Sequence, residues 1–323
     1  MRFIKTLFWN ESQSRLRAGW RLALQLILNI GLALLALRVL EAGAGSLDSN
    51  SSWGTIVLAL VMVGVTLFSV WFAGRFLDRR LFSDFGLHLN RGAWWADLAF
   101  GLALGIVLPL GLAGLGVVTD TVSLGPVFTA GFPGLSFGLA VLLSALVYLC
   151  VGTFEEVARA YHIRNLLEGT VRLGLGFAAA IAVIGASVIS VLMHTGNLAF
   201  LAFVLLATAI KGLCYLLTGR VGVALGYHAA WDFTLATVLG VGTQSGAGAT
   251  AAFYAVHSDD PTWASAAGGN ELGPPVLVAL LGLELAALLL ILGWTRWRYG
   301  MVTLHEDLKV QRTVRLHGVE HES

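Results

Sequence analysis

The chain has 323 residues, 57% of them hydrophobic and only 12% charged, with a mean hydropathy of +0.80; a soluble globular domain averages roughly 45–50% apolar and about 25% charged, so a water-soluble enzyme is excluded. The 39 glycines follow no G-X-Y period and long apolar runs replace polar bias, which removes collagen-like and disordered classes. A formal net charge of +1, from 20 Lys+Arg against 19 Asp+Glu, gives no electrostatic case for nucleic acid, and what remains is an all-α polytopic membrane protein.

Residues 1–18 (MRFIKTLFWNESQSRLRA) carry charges and no cleavable apolar core, and the run that follows is longer than a signal h-region. It reads as an uncleaved first span. A bilayer core of about 30 Å takes roughly 20 apolar residues in a helix, and about eight stretches qualify. In chain order they are Gly19–Leu40, Trp53–Leu77, Trp95–Val118, Ser136 into the region of Glu155, Leu175–His194, Leu198–Leu217, Val221–Gly240 and Gly273–Trp294. Between the second and third, DRRLFSDFGLHLNRG (78–92) is too short and too charged to cross and suits an interfacial piece, with Trp94 and Trp95 as belt anchors. Gly101 and Gly105 form a GxxxG pattern that would let helices approach closely. Cys150 and Cys214 lie in apolar runs and read as small buried hydrophobes. The loop 241–272, with Asp259, Asp260 and Glu271, reads as a flexible non-cytoplasmic connection, and the tail from Tyr299, with His305, His317 and His321, as a solvated extension.

Of the Lys and Arg residues, all but Arg21, Arg38 and Lys211 fall in the N-terminal segment, the second loop (Arg75, Arg79, Arg80, Arg91), the Arg159–Arg172 region, Arg220 or the tail. Loops 41–52, 119–135 and 241–272 contain none. Positive charge accumulates in cytoplasmic loops, so both termini are expected in the cytoplasm. The segmentation divides the chain into 1–135 (helices 1–3 with the interfacial piece), 136–240 (helices 4–7, the candidate core of the chemistry) and 241–323 (outer loop, last helix and tail).

Ionisable groups in the hydrocarbon region cost several kcal/mol unless paired or hydrated, so each is a functional candidate. Glu155 and Glu156 point about 100° apart on a helix, and Arg159 follows at i+4 and i+3, close enough to neutralise either. An ion-paired helix end would look the same, but a helix continuing to Leu167 puts Glu155 about 18 Å from the inner turn. His228 and Asp232, spaced i, i+4, share a face at a comparable depth, unless the pair merely satisfies buried polarity. His194, before the turn-like Thr195-Gly196-Asn197, counts nearer the outer side, and needs a tilted or late-starting helix to join the others. A carboxylate beside a histidine can deprotonate water, and a second histidine with a polar i+4 partner can donate to the oxyanion of a peptide carbonyl. No serine or cysteine nucleophile is required.

The order Glu155-Glu156 with Arg159, then His194, then His228-x-x-x-Asp232, resembles the CAAX protease and bacteriocin-processing (CPBP) family of intramembrane glutamic endopeptidases. The resemblance covers about Ser136–Leu239, and the flanks LFWNESQSRLRAGWR and LDRRLFSDFGL look like its prokaryotic members. It implies a protease of the cell membrane without metal or cofactor, in which Glu155 and His194 activate water, His228 and Asp232 form the oxyanion side, and Glu156 and Arg159 support the first motif. Its partners would be membrane lipids and a peptide or protein substrate, lipidated or membrane-bound. Some members cleave after a prenylated cysteine; others are associated with bacteriocin self-immunity or surface-protein anchoring. Two positions depart from the family pattern: the arginine arrives one residue early, with Ala160 where the spacing wants it, and Ser190 stands where phenylalanine often precedes the second-motif histidine.

Those departures keep a second reading open, a catalytically degenerate scaffold or immunity-type binder. Two further alternatives are zinc ligation by Glu155, His194, His228 and Asp232, although no HExxH is present, and ion-coupled transport.

Overall fold

The computed structural model describes residues 7–11, 13–43, 51–132, 134–241, 251–257 and 272–309. His317 and His321, most of the 241–272 loop with its three carboxylates, and Arg2 and Lys5 lie outside them. Eight helices of twelve or more residues form the described fold: α1 Ala18–Gly43, α2 Ser52–Phe72, α3 Gly92–Val118, α4 Phe137–Thr170, α5 Leu175–Val191, α6 Leu198–Thr218, α7 Gly222–Phe233 and α8 Pro274–Tyr299. Their starts follow local chemistry. The Ser51 and Asn197 side chains accept from Gly54 N–H at 3.0 Å and Phe200 N–H at 2.9 Å, satisfying orphan donors at the first turns of α2 and α6. Gly219, at φ +64°, closes α6 in the left-handed conformation that glycine adopts without steric cost.

Six of these segments are long and apolar enough to cross a bilayer, by length and composition. The chain is an all-α polytopic membrane protein, and the two expected spans that fall short are α5 and α7. α5 has 17 residues, about 26 Å of rise against a core of about 30 Å. α7 has 12 α-helical residues before the backbone loosens into a π turn at Thr234–Val238, and such turns interrupt α-helices often at functional sites.

The GxxxG pattern on α3 marks the tightest helix contact. A Cβ on Gly101 would stand 2.2 Å from the Val223 carbonyl oxygen, and one on Gly105 2.5 Å from that of Tyr227. The contact is reciprocal, because α7 presents its own pair at the same spacing, with a Cβ on Gly222 2.8 Å from Trp94 O and one on Gly226 2.4 Å from Leu98 O. Small residues on both helices let the backbones touch. On another side of α7, Gly152 of α4 lies against Ala229. α7 is thus held between α3 and α4, and packs with α6 and α8 in an apolar core that includes Leu104, Leu108, Phe203, Val204, Tyr227, Trp231 and Leu280.

Buried ion pairs tie the helix ends. Arg21 of α1 contacts Asp78, while Arg15 at 2.9 Å and Arg80 at 2.8 Å reach Glu168 near the end of α4. Arg15, before the first span, has its pKa pushed down to about 10, chiefly by burial and then by Arg21 and Arg80. Asp97 of α3 accepts from Trp294 at 3.0 Å and Tyr299 at 2.7 Å of α8. The 78–92 piece is anchored here: Phe85 is fully buried against Tyr161. Of the expected belt pair only Trp95 is exposed; Trp94 is 4% exposed and donates to the Gly86 carbonyl at 3.1 Å. The tail begins docked rather than solvated, with His305 N–H bonded to Leu216 O at 2.9 Å and Leu308 buried. Cys150 and Cys214 are buried and free. Two short antiparallel pairs complete the described fold, β1 Trp9–Asn10 with β2 Arg15–Leu16 and β3 Ser123–Ala130 with β4 Ala251–His257.

Candidate active site

Four helices and one turn converge on a cavity of about 390 Å³, within the usual range of roughly 300–1,000 Å³ for ligand pockets. α4 contributes Tyr148, Val151 and Glu155, α6 contributes a face from Phe200 to Lys211, α7 gives Tyr227, His228, Trp231 and Asp232, and α8 gives Glu284. His194 arrives from the turn after α5. α5 stops at Val191, and the turn that follows it carries His194 to the cavity wall.

The adjacent glutamates divide as a 100° rotation requires. Glu155 lines the cavity with its side chain 19% exposed, whereas Glu156 is 2% exposed and sits behind it. Arg159 contacts Glu156 and reaches Glu155 Oε2 at 3.5 Å. Glu156 Oε1 also lies 2.7 Å from His228 Nδ1. A carboxylate so paired only accepts, so Nδ1 carries the hydrogen and Nε2 is the atom left for the cavity. Nε2 stands 3.4 Å from Asp232 Oδ2 and 4.0 Å from Glu155 Oε2. One imidazole therefore faces three carboxylates from two helices. His194 Nδ1 lies 2.8 Å from the Ser190 carbonyl oxygen. A carbonyl cannot donate, so in neutral His194 the free lone pair is on Nε2.

The two sequence departures meet in space. Arg159 Nη2 donates to Ser190 Oγ at 3.3 Å, a contact no phenylalanine at 190 could accept. Ala160, by contrast, is buried among Ile163, Leu167, Ala182 and Val183, where an arginine head would have no partner. The arginine that arrives early is the one that reaches both glutamates.

Of the expected residues, Glu155, His194, His228 and Asp232 share the cavity wall, while Glu156 and Arg159 form the ionic layer behind it. Sequence reasoning passed over Lys211 and Glu284. Each is a lone charge in an apolar run, the signal that marked the other candidates, but neither has an ionisable carboxylate, imidazole, Lys or Arg neighbour at helical spacing. A larger cavity, about 650 Å³, lies between the N-terminal segment and the end of α4. It contains none of the six, and its carboxylate, Glu168, is already taken by Arg15, Arg21 and Arg80. Among the described residues no group of three or more His, Cys, Asp and Glu is arranged to hold a metal ion.

Residues 137–234 match the Rce1-like family model. That family is described as type II CAAX prenyl endopeptidase Rce1-like, and the Rce1-like stretch runs from the first residue of α4 to the π turn after α7, holding all six candidates. At the level of the family it supports CAAX-protease-type intramembrane proteolysis, with a membrane environment and peptide substrates. No curated protein and no solved structure matches the chain.

Proposed function

We propose that the protein hydrolyses a peptide bond inside the membrane with a water molecule activated by Glu155 and His194, without metal or covalent intermediate. The observation that carries this reading is the separation of the two glutamates, one on the cavity wall and one locked behind it by Arg159 and His228. Glu155 is then the base. It takes one proton from the water, His194 Nε2 accepts the other hydrogen in a hydrogen bond, and the water oxygen bonds to the peptide carbonyl carbon. His228, as the imidazolium with both ring nitrogens protonated, is held through Nδ1–H by Glu156 and donates Nε2–H to the oxyanion, with Asp232 orienting the ring. Collapse of the tetrahedral species breaks the C–N bond, and Glu155 returns its proton to the leaving amine.

The substrate class suggested by the family description is a prenylated peptide, and the test begins there. Purified protein in lipid is offered prenylated and unprenylated peptides, with Glu155→Ala, Glu156→Ala and His194→Ala alongside. Cleavage by the parent, lost in Glu155→Ala and His194→Ala, is expected. No cleavage by the parent under any condition, or three variants equal to it, returns the protein to the scaffold or immunity-type reading.

A further inference from the structure

The larger cavity, about 650 Å³, lies apart from the candidate active site, between the N-terminal segment, the first turns of α1 and the end of α4. Its basic residues are Arg17, just before α1, and Arg172, just after α4. Two acceptors of the same wall are already engaged. Glu168 Oε1 accepts from Arg15 at 2.9 Å and Arg21 at 2.5 Å, and Oε2 accepts from Arg80 at 2.8 Å. Gln13 Oε1 accepts from Arg15 at 3.0 and 2.8 Å and from Asn10 at 3.2 Å. Among the described residues Glu168 is the one carboxylate of this lining, and three guanidiniums already share it. Among the described residues, too, Arg172 makes no hydrogen bond or ion pair. Behind the wall, Arg15, Arg21 and Arg80 meet two carboxylates, Asp78 and Glu168. The cavity is therefore electropositive, and its complement is an anion.

Depth indicates which anion. α1 has 26 residues, about 39 Å of rise against a hydrocarbon core of about 30 Å, so its ends reach into the headgroup layer. Ala18, Gly19 and Trp20, its first three residues, line the cavity. Trp20 is 38% exposed, stacks on Phe8 with ring centroids 4.5 Å apart, and donates to the Leu7 carbonyl at 3.2 Å. Such aromatic placement is that of a membrane–water interface. From Trp20 an exposed apolar stripe continues along α1 through Leu24 and Ile27, at i+4 and i+7. A cationic recess at headgroup level beside an apolar stripe is complementary to a phosphate that carries an acyl chain.

We propose that this cavity binds the phosphate of an anionic phospholipid, with Arg17 and Arg172 on the headgroup and an acyl chain along Trp20, Leu24 and Ile27. One headgroup then ties the N-terminal segment to the end of α4, the helix that carries Glu155 and Glu156. The inference does not depend on the peptidase reading.

The test uses full-length protein in a neutral detergent and native mass spectrometry of bound ligand. The probes are phosphatidylglycerol, phosphatidylcholine and glycerophosphoglycerol, which is the first headgroup without its acyl chains. Phosphatidylglycerol should bind about 10- to 30-fold more tightly than phosphatidylcholine, since each arginine near an anionic headgroup is worth about fivefold. Arg17→Gln and Arg172→Gln should each weaken phosphatidylglycerol about fivefold and leave phosphatidylcholine unchanged. Arg38→Gln, which removes an exposed arginine near the other end of α1, should change neither. Equal binding of the two lipids, no loss in either cavity variant, or an equal loss in Arg38→Gln overturns the proposal, the last by showing diffuse attraction. Glycerophosphoglycerol that displaces phosphatidylglycerol at equal concentration gives the recess to a soluble phosphate and overturns the lipid. Arg172 has no partner to lose among the described residues, so its variant decides even if Arg17→Gln does not fold.

Discussion

Arg159 is the charge on which the ionic layer depends, and its partners explain which single changes are tolerated. Removing the carboxylate of Glu156 leaves a 2% exposed guanidinium and the His228 ring short of an acceptor, a loss that costs about 3–5 kcal/mol for a buried pair. Glu156→Gln should therefore lower the melting temperature clearly, whereas Glu155→Gln, at a position already open to the cavity, should leave it nearly unchanged. Thermal unfolding in detergent separates the two. Ser190→Ala should cost about 1 kcal/mol, the worth of one hydrogen bond, and Ser190→Phe should cost more because the ring displaces Arg159 Nη2. At this scale the legibility of the sequence tracked spacing. His228 and Asp232, or Glu156 and Arg159, announce themselves because helical periodicity puts two polar groups on one face. Lys211 and Glu284 are brought together only by the packing of α6 against α8, across more than seventy residues, and no local pattern encodes that.

The elements divide in the same way. Helix existence was legible throughout, since apolar runs bounded by Ser, Asn and Gly specify starts and stops, but span count was not. The runs at 175–194 and 221–240 are apolar enough to cross, yet Leu175–Val191 is short and the helix from Gly222 breaks into a π turn at Thr234. Those two irregular elements carry His194, His228 and Asp232. Hydropathy measures how greasy a stretch is, and backbone irregularity lined by a cavity leaves no trace in it. The glycine pattern, weak as a motif in so glycine-rich a chain, gains meaning from its reciprocal pair on α7. Gly105→Ala forces a methyl against Tyr227 O, Trp231 N and Ala230 and should cost about 1–3 kcal/mol through overpacking. It should also displace His228. Gly111→Ala on the same helix meets nothing within 4 Å and should be neutral or slightly stabilising; comparing the two melting temperatures checks this.

Across the whole molecule, arginines from two positively charged sequence regions gather on a shared carboxylate: Arg15 from the N-terminal segment and Arg80 from the α2–α3 connection both meet Glu168 near the end of α4. Segments that share such a cluster lie at one end of the bundle. With positive charge favouring the cytoplasm, reporter fusions at the N-terminus and after α8 should both read cytoplasmic; a split result would overturn the topology. The cavity is built from α4, α6, α7, α8 and the turn after α5, with its ionisable groups set among apolar side chains.

The decisive quantity is the rate at which purified protein in lipid cuts a fluorogenic prenylated peptide, measured for the parent and for Glu155→Gln, each with and without a metal chelator. With Glu155 as the base, the parent rate is insensitive to chelation and the variant is slower by about 10²–10⁴-fold at an unchanged melting temperature. A variant as fast as the parent, or a parent silenced by the chelator, would contradict water activation by this glutamate.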